Sequence, residues 1–138
     1  MIETDLFKSA LASASKLNEK NDCAVRAVSI AARVPYDVAH RQLAYQGRKP
    51  RGTTYDCQYV AALGILGFDV KDETVKYRMK GGKTIKTLAR LLPSRGVFLI
   101  RVRGHIACYR AGALHDWLDP SRRHHVIQVQ RVTKRSAS

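Results

Sequence analysis

The sequence predicts an α+β fold, because helical residue patterns fill the first two thirds of the chain and β-rich runs fill the last third. This order differs from the regular alternation of helices and strands that is typical of α/β folds. The connections between the β-rich runs are short, which favours antiparallel pairing. We therefore expect N-terminal helices packed on a C-terminal antiparallel β-sheet, as a single domain over residues 1–130. Residues 131–138 are basic and are expected to form a disordered tail.

Apolar residues recur at helical spacing in five segments. The second segment ends at Val34, because the residue before a proline disfavours the α region. The fourth is expected to begin at a cap formed by Thr53 or Thr54, and the fifth at Thr84. The predicted helices cover about residues 5–16, 23–33, 36–45, 55–66 and 85–92.

The β-rich runs predict one short strand in the middle of the chain and four strands near its end. The turn Arg110-Ala111-Gly112 joins two of them. Counting outwards from this turn places His105 and Asp116 opposite or diagonal to each other, close enough for a hydrogen bond. The predicted strands cover about residues 68–70, 96–102, 105–109, 113–117 and 125–129.

Cys23 lies at the predicted start of the second helix. Asp22 before it is expected to cap the helix, because its carboxylate accepts hydrogen bonds from the free N–H groups of the first turn. A thiol at a helix N-terminus lies in the positive end of the helix dipole, which favours the reactive thiolate. Two interpretations stay open at this point: a nucleophile, or a small buried apolar residue, as most free cysteines are.

A cysteine nucleophile needs a base within hydrogen-bonding reach, and the base needs a partner that orients it. His105 begins a predicted strand directly after Gly104, where the missing side chain lets a substrate approach the backbone. Asp116 on the next strand is positioned to hold one tautomer of the imidazole. Cys23, His105 and Asp116 are therefore the candidate catalytic residues.

Four motifs together carry a resemblance to a known family. They are Asn21-Asp22-Cys23-Ala24-Val25-Arg26-Ala27, Pro35-Tyr36-Asp37, Gly104-His105-Ile106-Ala107 and Leu114-His115-Asp116-Trp117. Over about residues 18–128 the chain resembles the papain-like cysteine peptidases, and it is most similar to the C39-peptidase-like group, which includes small phage and bacterial proteins. The resemblance implies a papain-like fold, hydrolysis of a peptide or isopeptide bond, and location in the cytoplasm of a host cell or in a virion.

The chain departs from the papain-like pattern ahead of the cysteine. The usual glutamine, whose amide helps to bind the oxyanion, is replaced by Leu17. Asn18 or Asn21 would supply the amide instead, together with the backbone N–H of Cys23. The C39-like group also permits an Asp before a proline as third member, so Asp119 competes with Asp116; the strand register favours Asp116.

Neither a metal site nor a disulfide framework is expected. The three cysteines form no C-x-x-C pair, so reduced thiols and an intracellular setting are expected, with Cys57 and Cys108 in the core. His115 is expected to be structural, and His124 and His125 lack metal-ligand spacing. No signal peptide, membrane span or cofactor is indicated.

The charge of the chain is strongly positive. Lys and Arg number 25 against 11 acidic residues, a formal net charge of +14. Such a field indicates nucleic acid or an acidic protein as partner, although a solvated basic surface is an equally simple explanation. The second function hypothesis is therefore a basic, papain-like binding protein with little or no catalysis. Its contact surface would comprise residues 47–51, 76–86, 121–123 and 131–135.

Overall fold

A five-stranded antiparallel sheet with helices on both faces organises the chain in the computed structural model. The structure describes residues 5–16, 22–49, 51–52, 54–116 and 124–135. The predicted α+β class is confirmed. In these ranges no helix combines the length and the apolar character that crossing a bilayer requires.

Six helices occur in the described part of the chain, and the second is the most deeply buried. Every residue of this helix after Cys23 is buried, which explains its run of small and β-branched side chains. Arg33 ends it in a left-handed conformation, and Pro35 opens the next helix. The helices are α1 (Asp5–Lys16), α2 (Cys23–Ala32), α3 (Tyr36–Tyr45), α4 (Asp56–Ile65), α5 (Thr74–Met79) and α6 (Ile85–Ala89).

The strands do not follow each other across the sheet in chain order. They are β1 (Phe68–Asp72), β2 (Val97–Val102), β3 (His105–Arg110), β4 (Ala113–His115) and β5 (Gln128–Lys134). The order across the sheet is β1-β5-β2-β3-β4, and every pairing is antiparallel. The last strand therefore lies inside the sheet, between the first strand and the second.

Alternating side chains of the sheet divide the core into two clusters. On one face, Leu99, Ile106 and Cys108 pack with apolar residues of helices α1 to α4. On the other face, Phe98 and Ile100 pack with Tyr77 of α5 and with the apolar residues of α6. Period-two alternation along each strand produces this division. Helix α2 packs on β3, so the start of the helix lies near the start of that strand.

The prediction of a disordered tail from residue 131 is wrong for residues 131–134. These residues form most of β5, which pairs with β1 on one side and with β2 on the other. Phe68 of β1 lies opposite Lys134, and Phe98 of β2 lies opposite Arg131. Arg131 is accommodated because its guanidinium lies 3.3 Å from the buried carboxylate of Glu73 and stacks over the ring of Phe98. Residues 136–138 lie outside the described residues.

Three further predictions need correction. Tyr55, not Thr54, occupies the N-cap of helix α4, and its backbone N–H donates a 2.8 Å hydrogen bond to Oε1 of Gln58; Thr53 lies outside the described residues. Thr84 caps α6 as predicted by accepting from the N–H of Thr87, but this helix ends at Ala89. The sequence predicted no element over Thr74–Met79, where α5 forms.

The three cysteines have three different environments. Cys108 is fully buried in the core, as predicted. Cys57 is exposed, so its assignment to the core is wrong. The reason is that Cys57 lies on the solvent side of α4, two positions before buried Tyr59. Cys23 is half-buried at the start of α2.

Candidate active site

Cys23 lines an open cleft of about 370 Å³. The cleft is bounded by the first residues of α2, by the segment that leads into α4, and by the hairpin that joins β2 to β3. His105 and Gly104 contribute the hairpin side of this cleft. The thiol is therefore neither sealed in apolar packing nor fully exposed.

The imidazole of His105 connects Cys23 with Asp116. The thiol of Cys23 and the imidazole are hydrogen-bonded to each other, and Nε2 of the same ring is hydrogen-bonded to the Asp116 carboxylate. Because Asp116 engages Nε2, the nitrogen that faces Cys23 is Nδ1. The three predicted catalytic residues therefore lie in one continuous hydrogen-bonded row.

The strand register explains how Asp116 reaches His105. Cys108 lies opposite His115, so the next pair along the hairpin is Ala107 and Asp116. His105 lies two residues before Ala107, at the start of β3, which makes it a diagonal neighbour of Asp116 on the same face. The predicted arrangement, opposite or diagonal, is thus realised as a diagonal pair. Asp116 follows the last residue of β4 and is buried.

The surroundings of the pair favour its charged form. Burial by itself raises the pKa of the Cys23 thiol. Hydrogen bonds from His105 and from the Ile106 backbone lower this pKa, and so do the positive charges of His105 and Arg26. The lowering effects together exceed the effect of burial, so the thiol pKa is below its ordinary value. The hydrogen bond to Asp116, aided by the one to Cys23, raises the pKa of His105 to about 9. The two shifts have opposite signs, which is the condition for a thiolate beside an imidazolium.

Asp22 does not cap α2 with its side chain, contrary to the prediction. Its buried carboxylate accepts a 2.8 Å hydrogen bond from the Tyr36 hydroxyl and lies 3.7 Å from Nε of Arg26. Buried carboxylates require such partners, and these outcompete the helix N–H groups. Asp22 therefore links the start of α2 to α3 directly beside Cys23.

The first N–H groups of α2 are left without a side-chain cap from Asp22. Cys23 and Ala24, which carry two of them, both line the cleft. Helix geometry provides no intrahelical acceptor for the N–H groups of the first turn. Thr54 lines the cleft as well, and its Oγ1 is buried without a hydrogen-bond partner in the described part of the chain. These groups are candidate donors for a substrate oxygen.

Several residues considered in the sequence lie outside the described residues. They include Leu17, Asn18 and Asn21 at the candidate oxyanion position, and Asp119 and Trp117 after β4. The oxyanion assignment of Asn18 and Asn21 stays a prediction. Of the two competing carboxylates, Asp116 is the one that the structure describes, and it contacts His105.

One wall of the cleft is formed by residues that the sequence does not mark as functional. Arg101 on β2 lies 3.7 Å from the Asp56 carboxylate at the start of α4, and it donates a 2.8 Å hydrogen bond to Gln128. Tyr59 lies beside them and donates to Gln130, and burial raises the pKa of its hydroxyl to about 12. No sequence motif marks these residues, because they come from elements that are far apart in the chain.

The remaining histidines and cysteines take no part in the cleft. Burial raises the pKa of Cys108 to about 12, so this thiol stays protonated. His115 is buried, and its Nε2 lies 3.0 Å from the backbone carbonyl of Arg110, which agrees with a structural role. His124 and His125 are exposed. Among the described residues no group of three or more His, Cys, Asp or Glu side chains is arranged to hold a metal ion.

Comparisons with family models, with curated proteins and with solved structures found no match to this chain. The chemistry of the cleft is therefore interpreted from its own geometry.

Proposed function

We propose that the chain is a papain-like cysteine hydrolase, similar to the C39-peptidase-like group, that cleaves a peptide or isopeptide bond. The observation that carries this proposal is the hydrogen-bonded row of Cys23, His105 and Asp116 at the edge of an open cleft. A nucleophile, a base and an orienting carboxylate in this order are the requirements for covalent acyl transfer.

In the proposed reaction the Cys23 thiolate attacks the carbonyl carbon of the substrate and forms a C–S bond. The carbonyl oxygen becomes an oxyanion. When it collapses, the C–N bond breaks, and Nδ1 of His105 gives its proton to the leaving amine. A water molecule then attacks the thioester while His105 removes one of its protons. The C–S bond breaks, a carboxylic acid product leaves, and the thiolate–imidazolium pair is restored.

The start of α2 is the proposed site for the oxyanion. The N–H groups of the first turn lack intrahelical acceptors, and the helix dipole favours negative charge there. Loss of one oxyanion donor costs about 100-fold or more in rate, so two donors account for a large share of catalysis. Thr54 is the proposed side-chain donor in the described part of the cleft, because its buried Oγ1 has no other partner there.

Asp116 acts as a positioning residue in this proposal. Its carboxylate accepts from Nε2, which fixes the ring so that Nδ1 faces the sulfur. The buried carboxylate also stabilises the imidazolium that forms during the reaction. It does not touch the substrate itself.

An electrophilic peptidyl vinyl sulfone tests the proposal, because it alkylates only a thiol that is activated beside an imidazole. We expect labelling of Cys23 in the wild type and loss of labelling in Cys23→Ala and His105→Ala. The matched control is Cys57→Ala, which removes an exposed thiol outside the row and should leave labelling unchanged. Labelling that persists at the wild-type rate in His105→Ala would contradict the proposed hydrolase.

The second candidate function is that of a basic protein with weak or no catalysis that binds a polyanion. A cavity lined by cationic side chains favours it. This role is compatible with hydrolysis, because the cavity and the cleft lie at opposite ends of α2.

A further inference from the structure

A second cavity, of about 570 Å³, lies at the end of α2 that is remote from Cys23. It is formed where the last residues of α2 meet the ends of β1, β2, β3 and β5. The ten residues of α2 separate it from the cleft by about 15 Å. Its cationic lining residues are Arg33, Arg95, Arg110, Arg131 and Lys134, and no carboxylate is among the residues described as lining it.

Among the residues that the structure describes, most of these cations have no carboxylate partner. Arg131 lies 3.3 Å from Glu73. Arg110 donates a 2.9 Å hydrogen bond from Nη1 to the Ala31 carbonyl at the end of α2. For Arg33, Arg95 and Lys134, the described part of the chain provides no ion pair with a carboxylate. Within the described part of the chain, the concave surface therefore concentrates positive charge without matching carboxylates.

Arg33 and Arg110 both line the cavity at the end of α2. Arg33 is the C-cap of α2 with φ 53° and ψ 45°, a conformation that non-glycine residues adopt uncommonly. Burial lowers the pKa of Arg110; the charge of Cys108 opposes this shift, and the charge of Arg33 adds to it. Like charges brought together in this way repel each other, and an anion bound between them relieves the repulsion.

The chemistry of the cavity fits phosphate better than carboxylate. Guanidinium groups present a planar fork that binds phosphate oxygens in pairs. A phosphodiester presents two anionic oxygens to such a fork, as a carboxylate does, but it is also joined to a sugar and a base that an apolar surface can contact. The cavity is also larger than one phosphate, and Phe68, Pro93 and Val97 give it an apolar wall.

We propose that this cavity binds a phosphodiester of a single-stranded nucleic acid, with the apolar wall in contact with the adjoining sugar or base. The net charge of +14 attracts the strand from a distance, and the cavity determines where a phosphate is held. Among single strands the site selects little by sequence, because phosphate contacts position a strand without reading its bases.

Fluorescence anisotropy of a short labelled oligothymidine tests the proposal. The test variant is Arg33→Gln/Arg95→Gln, and the control is Arg41→Gln/Arg90→Gln, which removes the same charge from two exposed arginines that do not line the cavity. We expect the test variant to weaken binding about tenfold at constant salt. The slope of log affinity against log salt should fall by about 0.7 for each cation removed. The control should change affinity less than about twofold.

Two further measurements and the comparison of the two variants decide the test. The alkylation rate of Cys23 should be unchanged in the test variant, which shows that the fold is intact and separates this site from the proposed hydrolase. Equal weakening in test and control variants would overturn the proposal, because the general field would then explain binding. Binding of a labelled oligoglutamate with the same affinity and the same dependence on Arg33 and Arg95 would overturn the preference for phosphate, as would no binding of the oligothymidine.

Discussion

Replacing Asp116 by asparagine removes the charge that stabilises the His105 imidazolium but keeps a side chain of similar shape. An amide oxygen still accepts a hydrogen bond from Nε2, so the ring keeps its orientation. The hydrogen bond to Asp116 is the largest cause of the raised pKa of His105. In Asp116→Asn the pKa of His105 therefore falls, and the positive charge of the imidazolium stabilises the Cys23 thiolate less.

The size of the effect follows from the two pKa values of the imidazole. The difference between the ordinary value of about 6.5 and the value of about 9 in the folded chain corresponds to about 3.4 kcal/mol. Cys23 contributes part of this free energy. The side chain of His105 is 26% exposed, so solvent screens its interaction with the Asp116 carboxylate. We assign about 1.5 kcal/mol to Asp116, which lowers the equilibrium constant between the thiolate–imidazolium pair and the neutral pair about tenfold.

The assay is the rate of alkylation of Cys23 by iodoacetamide at neutral pH, followed by peptide mass spectrometry. Only the thiolate reacts, so the rate follows its fraction. Exposed Cys57 in the same molecule is the internal reference, and buried Cys108 should stay unmodified. The matched variant is Asp56→Asn, which removes a carboxylate that lines the cleft but pairs with Arg101 instead of His105.

We expect iodoacetamide to alkylate Cys23 more slowly in Asp116→Asn than in wild type, by up to about tenfold, with the same rate at Cys57 in both proteins. Asp56→Asn should retain the wild-type rate at Cys23. An unchanged rate and pH profile for Cys23 in Asp116→Asn would refute the role assigned to this carboxylate.

Three other outcomes are expected. Tyr36→Phe removes the hydroxyl that donates to buried Asp22, so the free energy of unfolding in urea should fall by about 1–3 kcal/mol; unchanged stability would show that this bond is dispensable. Leu63→Ala empties a fully buried site and should cost about 2–5 kcal/mol in the same assay, while a cost below about 1 kcal/mol would contradict the assigned packing. In Cys23→Ser, which lacks the thiol whose lowered pKa offsets the effect, the folded chain above about pH 6.5 holds a His105 proton that the unfolded chain has released, so its stability should fall with rising pH more steeply than that of Cys23→Ser/Asp116→Asn. Parallel pH curves for the two proteins would count against the raised pKa.

The parts of the fold set by local chemistry were predictable from the sequence. The start of α2 at Cys23 follows from the apolar pattern, and its end follows from Val34 and Pro35. The diagonal approach of His105 and Asp116 follows from counting residues about a short turn. Each of these features depends on residues that are close together in the chain.

The parts that depend on distant partners were not predictable. Arg131 was assigned to a tail because its carboxylate partner, Glu73, is far away in sequence. Asp22 was expected to cap α2, because nothing near it identifies the Tyr36 hydroxyl as a competing donor. Two features combine strands and helices from both halves of the chain: the Arg101–Asp56 wall of the cleft and the cationic cavity. No local sequence pattern therefore predicts them.

An NMR titration of the His105 ring in wild type and in Cys23→Ser most directly tests the proposed thiolate–imidazolium pair. We expect an imidazole pKa of about 9 in wild type and a lower value in Cys23→Ser, because serine provides no thiolate to stabilise the imidazolium. A pKa near 6.5 in wild type that does not change in Cys23→Ser would show that the sulfur and the imidazole are not coupled, and would contradict the proposed hydrolase.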